Sequence, residues 1–134
     1  MTIPVEQNVR DADPIPIVVV GAGHLGRFHV AKLLNNPNAD LLGAVDTNKD
    51  RALAISNEFN LPCEASVDNF SKAPKAAIVS VPTVEHAAVA IELIEKGLDV
   101  LIEKPISVTT QEACRIIEVA EKNNAVVQIG HTER

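Results

Sequence analysis

The chain is most constrained by a short β-branched run, Ile15-Pro-Ile-Val-Val-Val20, that feeds without a break into Gly21-Ala-Gly-His-Leu-Gly26. A continuous apolar run of this length reads as a strand covered on both faces rather than one half-open to water. Strands buried on both faces belong to parallel sheets with helices on either side. The rest of the chain repeats the same alternation of short apolar runs and helical patterns, with no internal repeat or low-complexity segment. The expected fold is therefore α/β: a doubly wound parallel sheet of about six strands with right-handed crossovers and helices on both faces.

Apolar runs predict strands over Ile15–Val20, Ala39–Val45, Leu61–Ala65, Ala76–Val81, Asp99–Ile102 and Ala125–Ile129. Helical spacing predicts buried faces at Leu25, Phe28 and Ala31, then Ala52, Ile55 and Phe59. Two further faces follow at Ala87, Ala88, Ile91 and Ile94, and at Ala113, Ile116, Ile117 and Ala120. Asn48 and Thr83 are expected N-caps, Thr109 with Glu112 a capping box, and Gly97 a left-handed C-cap. Residues 1–14 read as a flexible tail and residues 15–134 as one domain.

Composition narrows the function. The 134 residues are 46% apolar but only 2% aromatic, so the core must be built from Val, Ile, Leu and Ala. A net charge of −6 argues against a nucleic-acid partner, which demands a basic face. No apolar run reaches the length of roughly 18 residues that a membrane helix needs. The N-terminus lacks the basic flank and apolar stretch of a secretion signal. Cys63 and Cys114 are far apart and in no C-x-x-C pattern, so both read as ordinary apolar residues in a reduced, cytoplasmic setting.

The glycine run has the form G-x-G-x-x-G, a weak signal alone. Here it leaves a strand, opens a helix, and is followed by Asp46 twenty residues beyond Gly26. That combination is the dinucleotide-binding fingerprint. Gly21 permits the tight turn, Gly23 lets a pyrophosphate approach the backbone, and Gly26 lets the helix pack close to the sheet. The helix N-terminus offers unpaired N–H groups to the phosphates. Asp46 can accept two hydrogen bonds from the adenosine ribose and would repel a 2′-phosphate, favouring NAD over NADP. Arg51 lies near enough to act as a counterweight. Two other readings of the same residues stand beside this one: a plain glycine turn with Asp46 capping a helix, and the glycine loop of an S-adenosylmethionine enzyme.

Two further clusters fall at carboxyl ends of expected strands, where open α/β sheets bind their ligands. Val81-Pro82-Thr83-Val84-Glu85-His86 follows the fourth strand, and Glu103-Lys104-Pro105 the fifth. By spacing alone the first is a helix start and the second carries a solvated lysine. A lysine stripped of water there could exchange a proton with a substrate. Of the histidines, His24 falls in the loop and can line a cofactor groove, while His29 reads as a helix-surface residue. No pair of His24, His29, His86 and His131 has metal-ligand spacing, so no metal is expected.

Val-Gly-Ala-Gly-His-Leu-Gly-Arg at 20–27, Ser-Val-Pro-Thr-x-x-His at 80–86, Glu-Lys-Pro-Ile-Ser at 103–107 and Gln-Ile-Gly-His-Thr-Glu-Arg at 128–134 occur in order. Together they resemble the Gfo/Idh/MocA oxidoreductases, the group that includes glucose–fructose oxidoreductase and inositol dehydrogenase. The resemblance implies that Gly21, Gly23 and Gly26, with the backbone at His24 and Leu25, bind the pyrophosphate, and that Asp46 holds the ribose. It implies that Val81, Pro82 and His86 border the nicotinamide half and that Glu103 and Lys104 lie beside the nicotinamide ribose. Lys104 would reach the reacting carbons, and Pro105 would set the exit from the strand. Family members continue into a second domain with a large antiparallel sheet that carries the substrate pocket and a catalytic histidine. The expectation is thus a cofactor domain of a sugar- or cyclitol-type dehydrogenase, inactive alone. The alternative is a stand-alone NAD(H)-binding module serving a partner subunit. A bare face where the second domain would dock predicts a homo-oligomer.

Overall fold

The computed structural model describes residues 13–130. The first twelve residues of the expected tail lie outside the described residues, as do His131 and the three residues after it. Six strands alternate with four α-helices: β1 (Ile15–Val20), α1 (His24–Leu34), β2 (Ala39–Val45), α2 (Lys49–Phe59), β3 (Cys63–Glu64), β4 (Ala76–Val79), α3 (His86–Glu95), β5 (Asp99–Glu103), α4 (Thr110–Lys122) and β6 (Val127–Gly130). The strands form one sheet in the order β3-β2-β1-β4-β5-β6, and every neighbouring pair is parallel.

Side chains on a strand point alternately to the two faces, and here both faces are covered. Val18 and Val20 join Ala77, Val79, Val100 and Ile102 in one core, closed by Ala90, Leu93 and Ile94 of α3 and by Ile116 of α4. Val19, Ala44 and Ile78 face the opposite way, onto Val30 of α1 and Ile55 of α2. Val18, Val19, Val30 and Val79 are fully buried. Burial of such a side chain stabilises the fold by about 1.5–3 kcal/mol each.

The caps follow the sequence closely. Asn48 accepts the Arg51 N–H at 3.0 Å, and Thr109 and Glu112 form a reciprocal capping box. At the end of α3, the Gly97 N–H donates to Ile94 O and the Leu98 N–H to Leu93 O, a Schellman motif around Gly97 at φ +93°.

Several expectations are corrected. β4 ends at Val79 rather than Val81: the Ser80 N–H still donates to Val20 O of β1, and Pro82, which has no N–H for a ladder, lies just beyond Val81. Thr83 caps nothing; it opens a 3₁₀ turn over Thr83–Glu85 that precedes α3. The buried stripe of α3 is His86, Ala87, Ala90, Leu93 and Ile94, with Ala88 exposed, since the helix packs through the face that carries Leu93 and Ile94. In α1 the buried residues are Gly26 and Val30, while Leu25 and Phe28 face outward, because the absent side chain of Gly26 draws that face onto the loop. Ile117 of α4 is exposed, since this helix buries only the narrow stripe through Ile116 and Ala120. β3 shrinks to two residues and β6 begins at Val127.

Candidate dinucleotide-binding site

The sheet order places β1 beside β4, so the chain leaves these neighbours toward opposite sides of the sheet. A crevice opens above their carboxyl ends, the usual ligand position in such sheets. The glycine loop lies on its floor. Gly21 adopts φ +103°, and a Cβ there would come within 2.8 Å of the Ser80 carbonyl. A Cβ on Gly26 would come within 1.8 Å of Gly21 O, so the loop and the first turn of α1 are in backbone contact. Gly23 differs: a Cβ there would meet nothing within 4 Å. The middle glycine thus borders open space, the shape a pyrophosphate against the backbone requires. It is also the N-cap of α1 and offers no side chain to the helix end. The first-turn N–H groups and the positive end of the helix dipole are left for an anion.

Asp46, at the end of β2, is joined to this loop. Its Oδ2 accepts the Ala22 N–H at 2.9 Å, and its Oδ1 accepts the Asn48 N–H at 2.8 Å. Arg51 adds a fork, Nε to Oδ2 at 2.9 Å and Nη2 to Oδ1 at 3.2 Å. Burial works against the Asp46 charge. The Arg51 hydrogen bond, the Asn48 and Ala22 N–H groups and the Arg51 charge outweigh it and hold the carboxyl below its usual range.

Gly21, Gly23, Asp46, Arg51, Ser80 and Val81 line one cavity of about 610 Å³, with Pro82 and Glu85 on the wall beyond. That is the size of a small-molecule site. Sequence reasoning missed the Ala65-Ser66-Val67 side of this groove and the part played by Ser80. The Ser80 hydroxyl is buried and has no hydrogen-bond partner among the described residues. A polar residue ending an apolar strand was the available signal for it.

Beyond the groove the expected residues diverge. His86 is 2% exposed, with Nδ1 2.8 Å from the Pro105 carbonyl oxygen and Nε2 2.9 Å from that of Val81. Its ring bridges two main-chain segments, with both nitrogens turned to carbonyl oxygens of the chain itself. Glu103 is buried too, and its Oε2 accepts from His29 Nε2. His29 is therefore no helix-surface residue: its side chain is 12% exposed. Lys104 is exposed on a turn with a cis Lys104–Pro105 bond, in the solvated position that its spacing suggests. His24 and Leu25 are exposed on the first turn of α1, outside the groove lining. Among the described residues no cluster of three His, Cys, Asp or Glu could hold a metal, and no helix is long and apolar enough to cross a membrane.

Comparison with known proteins places this geometry. A family model described as an oxidoreductase family with an NAD-binding Rossmann fold matches residues 15–131. The chain belongs to the Gfo/Idh/MocA oxidoreductase family.

Among Gfo/Idh/MocA relatives, the UDP-N-acetylglucosamine 3-dehydrogenase of Acidithiobacillus ferrooxidans is 37% identical over 116 residues, covering 87% of this chain and 36% of the relative. The glucose-6-phosphate 3-dehydrogenase of Bacillus subtilis is 30% identical, covering 88% of this chain and 34% of the relative. Among solved structures, GenD2 from gentamicin A biosynthesis in complex with NAD superposes with a TM-score of 0.81 at 25% identity, over 89% of this chain and 35% of that one. The chain thus spans about a third of the length of the Gfo/Idh/MocA proteins it matches.

Proposed function

We propose that this chain forms the cofactor half of an NAD-dependent oxidoreductase that moves hydride between a nicotinamide dinucleotide and a sugar- or cyclitol-type alcohol. One observation carries the reading: the Ala22 N–H of the glycine loop donates to Asp46 Oδ2, so phosphate-binding backbone and ribose-binding acid form one continuous rim. The activities of the relatives, 3-dehydrogenases of sugar derivatives, support the substrate class.

On this reading the N–H groups from Gly23 to Gly26 hold the pyrophosphate, Asp46 orients the adenosine ribose, and Val81 and Pro82 wall the path toward the nicotinamide. The bound dinucleotide supplies a hydride-accepting carbon. Lys104 stands on the turn after β5 as the group of this chain able to hold or pass the hydroxyl proton. His86 and Glu103 fix that turn from beneath. The Asp46 carboxylate disfavours a 2′-phosphate, which makes NAD the preferred cofactor. The surfaces that read substrate hydroxyls belong to the part of the relatives' length these residues do not match. Positioning of reactants is worth about 7–11 kcal/mol of barrier, so these residues by themselves should turn over little substrate.

Titration of nicotinamide fluorescence with increasing protein tests the reading. Saturable NADH binding is expected, and no binding at millimolar NADH would overturn it.

A further inference from the structure

We propose that His29 is a positioning residue for Lys104: through Glu103 it ties the helix that opens on the glycine loop to the turn that carries the lysine. The inference rests on the reading of the groove as a dinucleotide site and deepens it, by naming what joins the phosphate end of that site to its reacting end.

Lys104 is exposed, yet the residues on both sides of it are held. Before it, Glu103 ends β5 on the same face as Leu101, which packs on the core that includes Val30 of α1. The Glu103 side chain is 4% exposed, and its Oε2 accepts from His29 Nε2 at 2.5 Å. After it, the Pro105 carbonyl lies 2.8 Å from Nδ1 of His86, which opens α3 on the other side of the sheet. Two buried histidines, from helices on opposite faces, thus fix residues 103 and 105, and Lys104 stands between them.

The two supports differ in what lies behind them. His86 joins Pro105 to the Val81 carbonyl. His29 lies on α1 one turn beyond Gly26, where the helix is in backbone contact with Gly21 O. The helix is therefore seated on the glycine loop at its first turn and on the end of β5 at the next. A phosphate settling on the first-turn N–H groups sets the helix, the helix sets Glu103 through His29, and Glu103 sets the residue bonded to it. Without a donor at position 29 the lysine turn is no longer registered against the cofactor-binding helix. Misplacing a reacting group by about 1 Å can cost about a hundredfold in rate, so this register matters to the chemistry.

The experiment follows acetylation of Lys104 by mass spectrometry, with and without saturating NADH. Lys75, which precedes β4 at the far end of the sheet, is the internal reference. The full chain is used as wild type, His29→Leu, His29→Asn and His29→Gln, with melting curves confirming that each folds. NADH should slow Lys104 relative to Lys75 at least about fivefold in wild type and less than about twofold in His29→Leu, since a lysine out of register is not covered by the cofactor. His29→Asn keeps an amide donor but falls short of Glu103; the same loss is expected of it, and it takes the place of His29→Leu should that variant not fold. His29→Gln, whose amide N–H reaches about as far as the ring Nε2, should restore the protection. A merely structural histidine would lower the melting temperature of the variants and leave Lys104 protected. That result, or a wild type that binds NADH without protecting Lys104, overturns the inference while the dinucleotide reading stands. If NADH binds none of the four proteins, the reading itself fails and takes the inference with it.

Discussion

His29 and Glu103, 74 positions apart, meet at 2.5 Å beneath the surface, tying α1 to the last residue of β5. Gly130 makes room for them: a Cβ there would lie 3.2 Å from Glu103 Oε1. Removing the donor of a buried carboxylate leaves its charge uncompensated. His29→Ala should therefore cost about 3 kcal/mol, and more than Glu103→Gln, whose amide oxygen can still accept from His29 Nε2. Urea denaturation of the two variants measures the difference; equal losses would count against the pairing.

The glycine loop separates folding from binding. Gly23→Ala adds a methyl into open space, so its melting temperature should match wild type while NADH affinity falls at least about tenfold, since the methyl stands where phosphate oxygens must approach. Gly26→Ala forces a Cβ onto Gly21 O and should destabilise the fold itself. A Gly23→Ala protein with wild-type NADH affinity would remove the pyrophosphate from this loop.

Replacing His86 by Phe keeps a ring in the buried slot but removes the ring N–H that donates to one of the two facing carbonyls, Val81 O or Pro105 O. An unpaired buried acceptor costs about 1–3 kcal/mol, and a loss of that size is expected. Faster amide exchange should be confined to the Lys104 turn and the start of α3, which hydrogen-exchange mass spectrometry resolves.

Asp46 makes stability depend on acid in a defined direction. Its folded-state pKa is held below the ordinary aspartate value of about 3.9. Its contribution is complete above that value and is lost as pH falls through the lower folded one. The stability gap between wild type and Asp46→Asn should be flat from neutrality to about pH 5 and close below about pH 4. A gap that widens toward acid pH would contradict the network around this carboxylate.

Much of this was legible in the residues. The run Ile15–Val20, the glycine spacing and Asp46 carry strong local signals, because backbone geometry in that loop tolerates few side chains. Asn48, Thr109 with Glu112, and Gly97 were readable for the same reason. The His29–Glu103 pair was not, since nothing local to His29 announces a partner that only the strand order brings near. Ala88 of α3 was misread because alanines occupy both faces of this helix, so residue type does not mark which of Ala87, Ala88 and Ala90 turns inward. Asp46 was readable as a candidate ribose acid from its spacing, but that its carboxylate already accepts from Ala22, Asn48 and Arg51 is a fact of three dimensions.

The pairing of β1 with β2 slips by one residue between Ile17 and Val18, so that Leu42 has no opposite number and Gly43 resumes the ladder. The two halves of β2 are therefore out of step, like the sections of a ruler cut and rejoined with a spare division. Lengthening or shortening the strand before Gly43 changes what faces Ile17 but leaves Val45 opposite Val20 and the carboxylate beside the loop. Drift in chain length, natural or engineered, has a place here where it can be absorbed without disturbing the rim on which recognition depends.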